Sequence, residues 1–268
     1  MIIDMHVHLL RQQGYEHHLA RSAREAGIDK MVLLGGPEQY DSAPNRAVLD
    51  AAERYPDLFV PFAYFRLGRD YPGLVDLLRS QGFAGVHFAL PQRAYDDKEF
   101  YLVYARAGQL GMPALFELGL VPSSGHDHVY DVCCGRMRPV MLDTVARAFP
   151  ELSVIGTRLG SPWCEEACEV ARCNTNVYLD LSGTLLKRKG PEFFREMLWW
   201  DETSAAYDGG PQPTAPWKKI VFGSGAHYSH LGSIRRDYEH LFDALGLDDA
   251  VRADVMCHNA IRALGLDY

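Results

Sequence analysis

The sequence predicts a single (β/α)₈ barrel of the TIM type covering residues 1–268. Three observations carry the prediction. The chain has 268 residues, close to the roughly 250 that such a barrel needs. Short β-branched runs alternate with amphipathic helical stretches from one end to the other. A pair of histidines closes the first strand-like run, at the end of a barrel strand where chemistry gathers in this architecture.

Residues 2–5 read as the first strand, and a helical pattern around 19–26 leads to the run Lys30–Leu34. A helix at 46–55 precedes the strand at 58–63, and a helix at 74–79 precedes Gly85–Phe88. The rhythm continues with a helix at 100–110, a strand at 113–117, a helix at 140–149 and a strand at 153–156. A helix at 164–171, the strand Val177–Asp180, a strand at 220–222 and helices at 234–245 and 249–264 complete it. Eight strand-then-helix units favour a closed parallel barrel over an open sheet. Two stretches interrupt the alternation. Residues 121–137 follow the fifth strand and should cover the catalytic face, whereas 201–217, rich in Pro and Gly, read as a loop.

The balance of charge is −8, which argues against a nucleic-acid partner. No apolar run approaches the ~18 residues of a membrane span, and the first residues lack a basic-then-apolar leader. A cytoplasmic protein acting on a small molecule is expected. Trp199 and Trp200 would suit an interface in a homo-oligomer as well as a core. The cysteines read as free thiols: Cys164, Cys168 and Cys173 lack the paired C-x-x-C spacing of zinc ribbons, and the first two share a helix face.

The segment Asp4-Met5-His6-Val7-His8 is the sharpest signal. Alternate strand residues share a face, so Asp4, His6 and His8 are expected to point together. Two imidazoles converging at an inward-facing strand end suit a borderline divalent cation such as zinc; two histidines that merely hydrogen-bond are the other reading.

Seven phrases in order resemble the amidohydrolase superfamily, specifically the amidohydrolase-related branch that includes aminocarboxymuconate-semialdehyde decarboxylase and related lactonases. They are the D-x-H-x-H opening, GFAGVHF, GMPALFELG, PELSVIGTRLG, NVYLDLSG, IVFGSGAH and HNAIRALGL. The resemblance implies a divalent metal, zinc foremost, but this chain departs from the family's ligand set. Glu117 stands in the register of the usual strand-five histidine, Arg158 in that of the strand-six histidine, and Gly225 in that of the strand-eight aspartate. His6 and His8 remain.

Glu117 can ligate a metal through oxygen or pair with Arg158 across the barrel mouth. His87 falls where some members carry a bridging lysine, as a fourth ligand, an acid/base group or a histidine bonded to the wall. Arg158 suits a bidentate grip on a carboxylate, that of Glu117 or of a substrate. His227 and His230 could reach back over the mouth, and His126 and His128 form a second H-x-H in the inserted loop. Asp180, Ser182 and Thr184 close strand seven and would line the pocket, with helix capping by Ser182 or Thr184 as the other reading.

The leading expectation is a hydrolase of small, carboxylate-bearing amides, lactones or similar rings. Its metal would be held by His6, His8 and Glu117, with catalysis by Glu117, His87 and Arg158 and substrate contacts from Arg158 and His227. A metal-independent lactonase or decarboxylase is the alternative, and a non-catalytic binding subunit the third.

Overall fold

The computed structural model describes residues 1–125, 127–199 and 216–266. Eight parallel strands follow one another around a single sheet in chain order. They are β1 (Ile3–His8), β2 (Lys30–Leu34), β3 (Phe59–Phe65), β4 (Gly85–Phe88), β5 (Ala114–Phe116), β6 (Val154–Gly156), β7 (Val177–Asp180) and β8 (Ile220–Val221). Backbone hydrogen bonds also cross the seam between the last strand and the first. The Met5 N–H donates to the Phe222 carbonyl at 2.8 Å and the Gly225 N–H to the His6 carbonyl at 2.8 Å.

The helices between the strands are α1 (Tyr15–Ala26), α2 (Asn45–Arg54), α3 (Leu74–Ser80), α4 (Tyr101–Gln109), α5 (Asp127–Tyr130), α6 (Met141–Ala148), α7 (Cys164–Cys173), α8 (Leu185–Arg188) and α9 (Pro191–Met197). After β8 come α10 (Leu231–Leu245), α11 (Asp249–Ala253) and α12 (Asn259–Leu264), the last two separated by a π-helical turn at Asp254–His258. The helix expected at 249–264 is therefore interrupted. Of the stretch read as a loop at 201–217, Pro216–Lys219 form a 3₁₀ turn, and 201–215 lie outside the described residues, as do His126 and Trp200.

Period-two alternation sorts the side chains into two layers. Val32, Leu34, Phe62, Leu115, Ile155 and Val221 fill the cylinder, with Ala260, Ala263 and Leu264 of α12 packed beneath them. Leu33, Val86, Phe116, Val154 and Leu179 face the helical shell. Because the lower barrel is filled with hydrocarbon, only the upper layer at the strands' C-terminal ends can be polar. That layer contains His6, His87, Glu117 and Asp180, all buried.

Strand β1 departs from strict alternation. Its ladder to β2 shifts register between Asp4 and Val7, and Ile3 and Met5 belong to the apolar interior. A bulge of this kind re-aims the residues that follow it, so His6 and His8 can point inward above Met5. The expectation that Asp4 shares their face is therefore corrected. Its Oδ1 accepts the backbone N–H groups of His6 at 3.1 Å and Ser224 at 2.9 Å, tying β1 to β8. Burial pushes the Asp4 carboxyl up to about 6.

The described cysteines are free thiols. Cys164 and Cys168 are buried on α7, and burial raises the Cys168 thiol to about 12, so it behaves as a packing residue. Among the described residues no helix is long and apolar enough to cross a membrane. Trp199 is exposed.

Candidate metal centre and active site

Three ligand-type atoms converge above the apolar filling. His6 Nε2 and His8 Nε2 lie 3.0 Å apart, and Glu117 Oε1 lies 3.1 Å from the first and 3.2 Å from the second. The nearly equilateral triangle matches one face of a coordination polyhedron. Ligand arms of about 2.0–2.1 Å give edges of about 3.3 Å in a tetrahedron and about 3.0 Å in an octahedron. Two nitrogens and one oxygen suit zinc, and the same facial set suits manganese or iron. The residues present therefore fit a divalent ion, held by His6, His8 and Glu117, the one such group among the described residues.

The surroundings hold each ligand in place. On its far side, His6 Nδ1 lies 2.9 Å from Asp180 Oδ2 and 3.0 Å from Ser182 Oγ. A carboxylate on the outer nitrogen fixes the ring and strengthens its basicity, the usual support for a ligating histidine. Burial opposes a charge on His6, but Asp180 and Glu117 outweigh it and raise the ring to about 10. The site thus attracts a cation, whether proton or metal. His8 is pushed down to about 4, by burial first and by charged His6 as well, so its lone pair stays available.

Glu117 is placed for both of the arrangements expected of it, and its pairing with Arg158 is present. Oε1 faces the imidazoles, while Oε2 lies 2.8 Å from Arg158 Nη2 and accepts the Thr157 hydroxyl at 3.2 Å. Despite burial, Arg158 and His6 hold this carboxyl well below the usual range. The carboxylate lies between the guanidinium and the two imidazoles, so its negative charge offsets Arg158 for any cation held there.

Arg158 reaches this position through an unusual backbone. Arg158 and Leu159 both have positive φ, 56° and 48°, a conformation costly for residues other than glycine and concentrated at functional sites. Two bonds hold it there: the Arg158 N–H donates to Asp180 Oδ1 at 2.7 Å, and Nη2 donates to the Leu118 carbonyl at 2.6 Å. Nη2 carries both side-chain contacts, and Nε has no hydrogen-bond partner.

His87, fully buried, bonds through Nδ1 to the Gly35 carbonyl at 2.7 Å. A carbonyl only accepts, so the neutral ring carries its proton on Nδ1 and presents the Nε2 lone pair. That nitrogen lies 3.6 Å from Glu117 Oε1 and has no hydrogen-bond partner.

These groups open into a cavity of about 340 Å³, whose wall also includes Tyr40, Ser182 and His227. His227 is at its rim, with Nδ1 2.9 Å from Ser229 Oγ. Val121 and Pro122 of the inserted segment line the cavity too. His230 is exposed and His128 is not in the cavity wall. Ser182 turns to His6, and Thr184, ahead of α8, makes no side-chain cap. Gly225 closes the β8 end with φ 55°, and a Cβ there would lie 3.0 Å from Ser182 Cβ. Any side chain at 225 would therefore crowd Ser182 on a left-handed backbone.

A family model described as Amidohydrolase matches residues 3–266. The chain belongs to the amidohydrolase family. Solved structures agree on the barrel. This amidohydrolase is 20% identical to an uncharacterized TIM-barrel protein from Bordetella bronchiseptica, over 98% of each chain, with TM-score 0.70. It is 15% identical to a probable 2-pyrone-4,6-dicarboxylic acid hydrolase from Acinetobacter baumannii, crystallised with citric acid, over 99% of each chain at TM-score 0.64. The 5-carboxyvanillate decarboxylase of Novosphingobium aromaticivorans, complexed with manganese, is 13% identical over 99% of this chain and 96% of its own, with TM-score 0.67. A comparison with curated proteins returns no match.

The Asp180–His6 pair and the support from Thr157 are what sequence reasoning missed. Asp180 was expected in the pocket, and alternation along Val177–Asp180, where Tyr178 and Asp180 share the inward face, could have aimed it at His6. Nothing local pointed to Thr157.

Proposed function

We propose that this amidohydrolase is a divalent-metal hydrolase of a small carboxylate-bearing amide, lactone or similar ring. The observation that carries the reading is the 3.0–3.2 Å triangle of His6 Nε2, His8 Nε2 and Glu117 Oε1. Bound there, a divalent ion supplies Lewis acidity toward a carbonyl and makes water a stronger acid. Asp180 keeps the His6 ring oriented with its proton on Nδ1, so Nε2 is free to ligate. Arg158 pairs with Glu117 through Nη2 and offers its remaining edge to a substrate carboxylate. His87, with its lone pair on Nε2, accepts the proton that the strand-eight aspartate would take in other family members. His227, at the rim, contacts the substrate as it enters. Zinc suits the two-imidazole, one-carboxylate set, and the manganese in the decarboxylase structure makes that ion the alternative to test.

A second reading, decarboxylation, draws on Gly225. Removing carbon dioxide needs no activated water, so the missing carboxylate does not obstruct it. Heavy-oxygen water separates the two: a hydrolase leaves the label in its product, and a decarboxylase releases carbon dioxide without incorporating it. Screening lactones, cyclic amides and aromatic acids bearing a carboxylate supplies the substrate. If Arg158→Met turns over or binds acidic compounds as well as the parent does, the carboxylate grip is wrong. If neither chemistry appears in any metal form, the non-catalytic alternative stands.

A further inference from the structure

Next to the metal cavity lies a second chamber of about 460 Å³, formed between the loops that follow β2 and β3. The two share a wall, Pro37 and Leu90. Leu90 holds a left-handed backbone, φ 50°, at the position where the chambers adjoin. The turn carrying it is anchored, since the Gln92 N–H donates to the Leu67 carbonyl at 3.1 Å. Gly68, with φ 89°, admits Gln92 so closely that a Cβ there would lie 2.7 Å from the Gln92 Cβ. The turn thus holds Leu90 at the common edge of the two chambers, both of which open to solvent above it.

The second chamber has an apolar floor, Leu67, Leu74, Leu77 and Leu78, with Leu77 45% exposed. Its rim holds three guanidinium groups. Arg11 is paired with Glu38, and Arg66 donates to Asp70 through Nε at 3.0 Å. Arg69 has no carboxylate partner among the described residues; its Nε meets the Gln92 amide oxygen at 3.1 Å in the orientation that also satisfies the Gly68 carbonyl. On a chain of net charge −8, this is a concave wall with surplus positive charge.

We infer that this chamber receives the far end of an extended diacid whose near carboxylate sits at Arg158. The apolar middle of the molecule passes Leu90 and lies on the leucine floor, and the distal carboxylate is gripped by Arg69. The inference rests on the reading of the first cavity as the catalytic one, and it narrows the substrate class from small acids to elongated ones.

Calorimetric titration of the purified protein with malonate and with azelate tests it. Azelate should bind about tenfold more tightly than malonate, the gain expected of an added charge-assisted contact. Arg69→Met should remove that gain and leave malonate unchanged, and Arg69→Lys should restore part of it; melting temperatures confirm that the variants are folded. Equal azelate affinity in the parent and Arg69→Met overturns the inference, as does azelate binding no more tightly than malonate or not at all. Loss of malonate binding in the parent speaks instead against the first-cavity reading, and the azelate comparison between parent and Arg69→Met still decides this one.

Discussion

Glu117 meets Arg158 through one oxygen only: Oε2 lies 2.8 Å from Nη2, and Oε1 is left for the imidazoles of His6 and His8. One carboxylate thereby holds the guanidinium and completes the candidate ligand set.

Removing that charge should be felt twice. Glu117→Gln leaves a largely buried guanidinium without its counter-charge, which costs about 3 kcal/mol, and removes the oxygen ligand. Adding Arg158→Met should recover most of the stability without recovering metal binding. Urea denaturation and metal titration of the single and double variants check both halves. Parent-like stability in Glu117→Gln would contradict the pairing.

Asp180 acts on the metal at one remove. Asp180→Asn keeps an oxygen for the N–H groups of Arg158 and Ser182 but takes the carboxylate from His6 Nδ1. Metal affinity should fall about 10–100-fold, while the fold remains intact by circular dichroism. An unchanged affinity would show that His6 needs no such support.

The β8 end resists reversion to the family's aspartate. Gly225→Asp forces a side chain onto a positive-φ backbone, 3.0 Å from Ser182 Cβ, and should cost about 1–3 kcal/mol. Ser182→Gly in the same chain should recover the steric part. Thermal denaturation of the parent and the two variants decides it, and a Gly225→Asp protein as stable as the parent would refute the crowding.

The barrel strands were legible because their alternation is a local property: in Gly85–Phe88 the outward Val86 and Phe88 flank the inward His87. That His6, His8 and Glu117 would face one another was legible because they lie at or just beyond the C-terminal ends of β1 and β5. The β1 bulge was not, since it depends on how Asp4 bonds to Ser224, which lies 220 residues away. The Asp180–His6 contact spans 174 residues and forms only when the cylinder closes. That Glu117 could pair with Arg158 through one oxygen and still face the imidazoles with the other could not be read from spacing, because it depends on the left-handed backbone that brings Arg158 to it.

Below the site, Lys219 provides a pH signature. Its ammonium donates to the Asn174 and Thr175 carbonyls, both at 2.8 Å, and burial pulls its pKa from 10.5 to about 8. Between these values the unfolded chain binds the extra proton, so stability from this group rises with pH, by at most about 3 kcal/mol. The stability difference between parent and Lys219→Met should therefore grow in the parent's favour from pH 7.5 to 10. A flat or falling difference would show that the carbonyls already hold the charged form without penalty.

Elemental analysis of protein purified without chelator tests the central claim most directly. About one divalent ion per chain in the parent, lost in both His6→Ala and His8→Ala, is the result expected of a metal held by His6, His8 and Glu117. A folded parent that contains no ion and takes up neither zinc nor manganese on dialysis would contradict it.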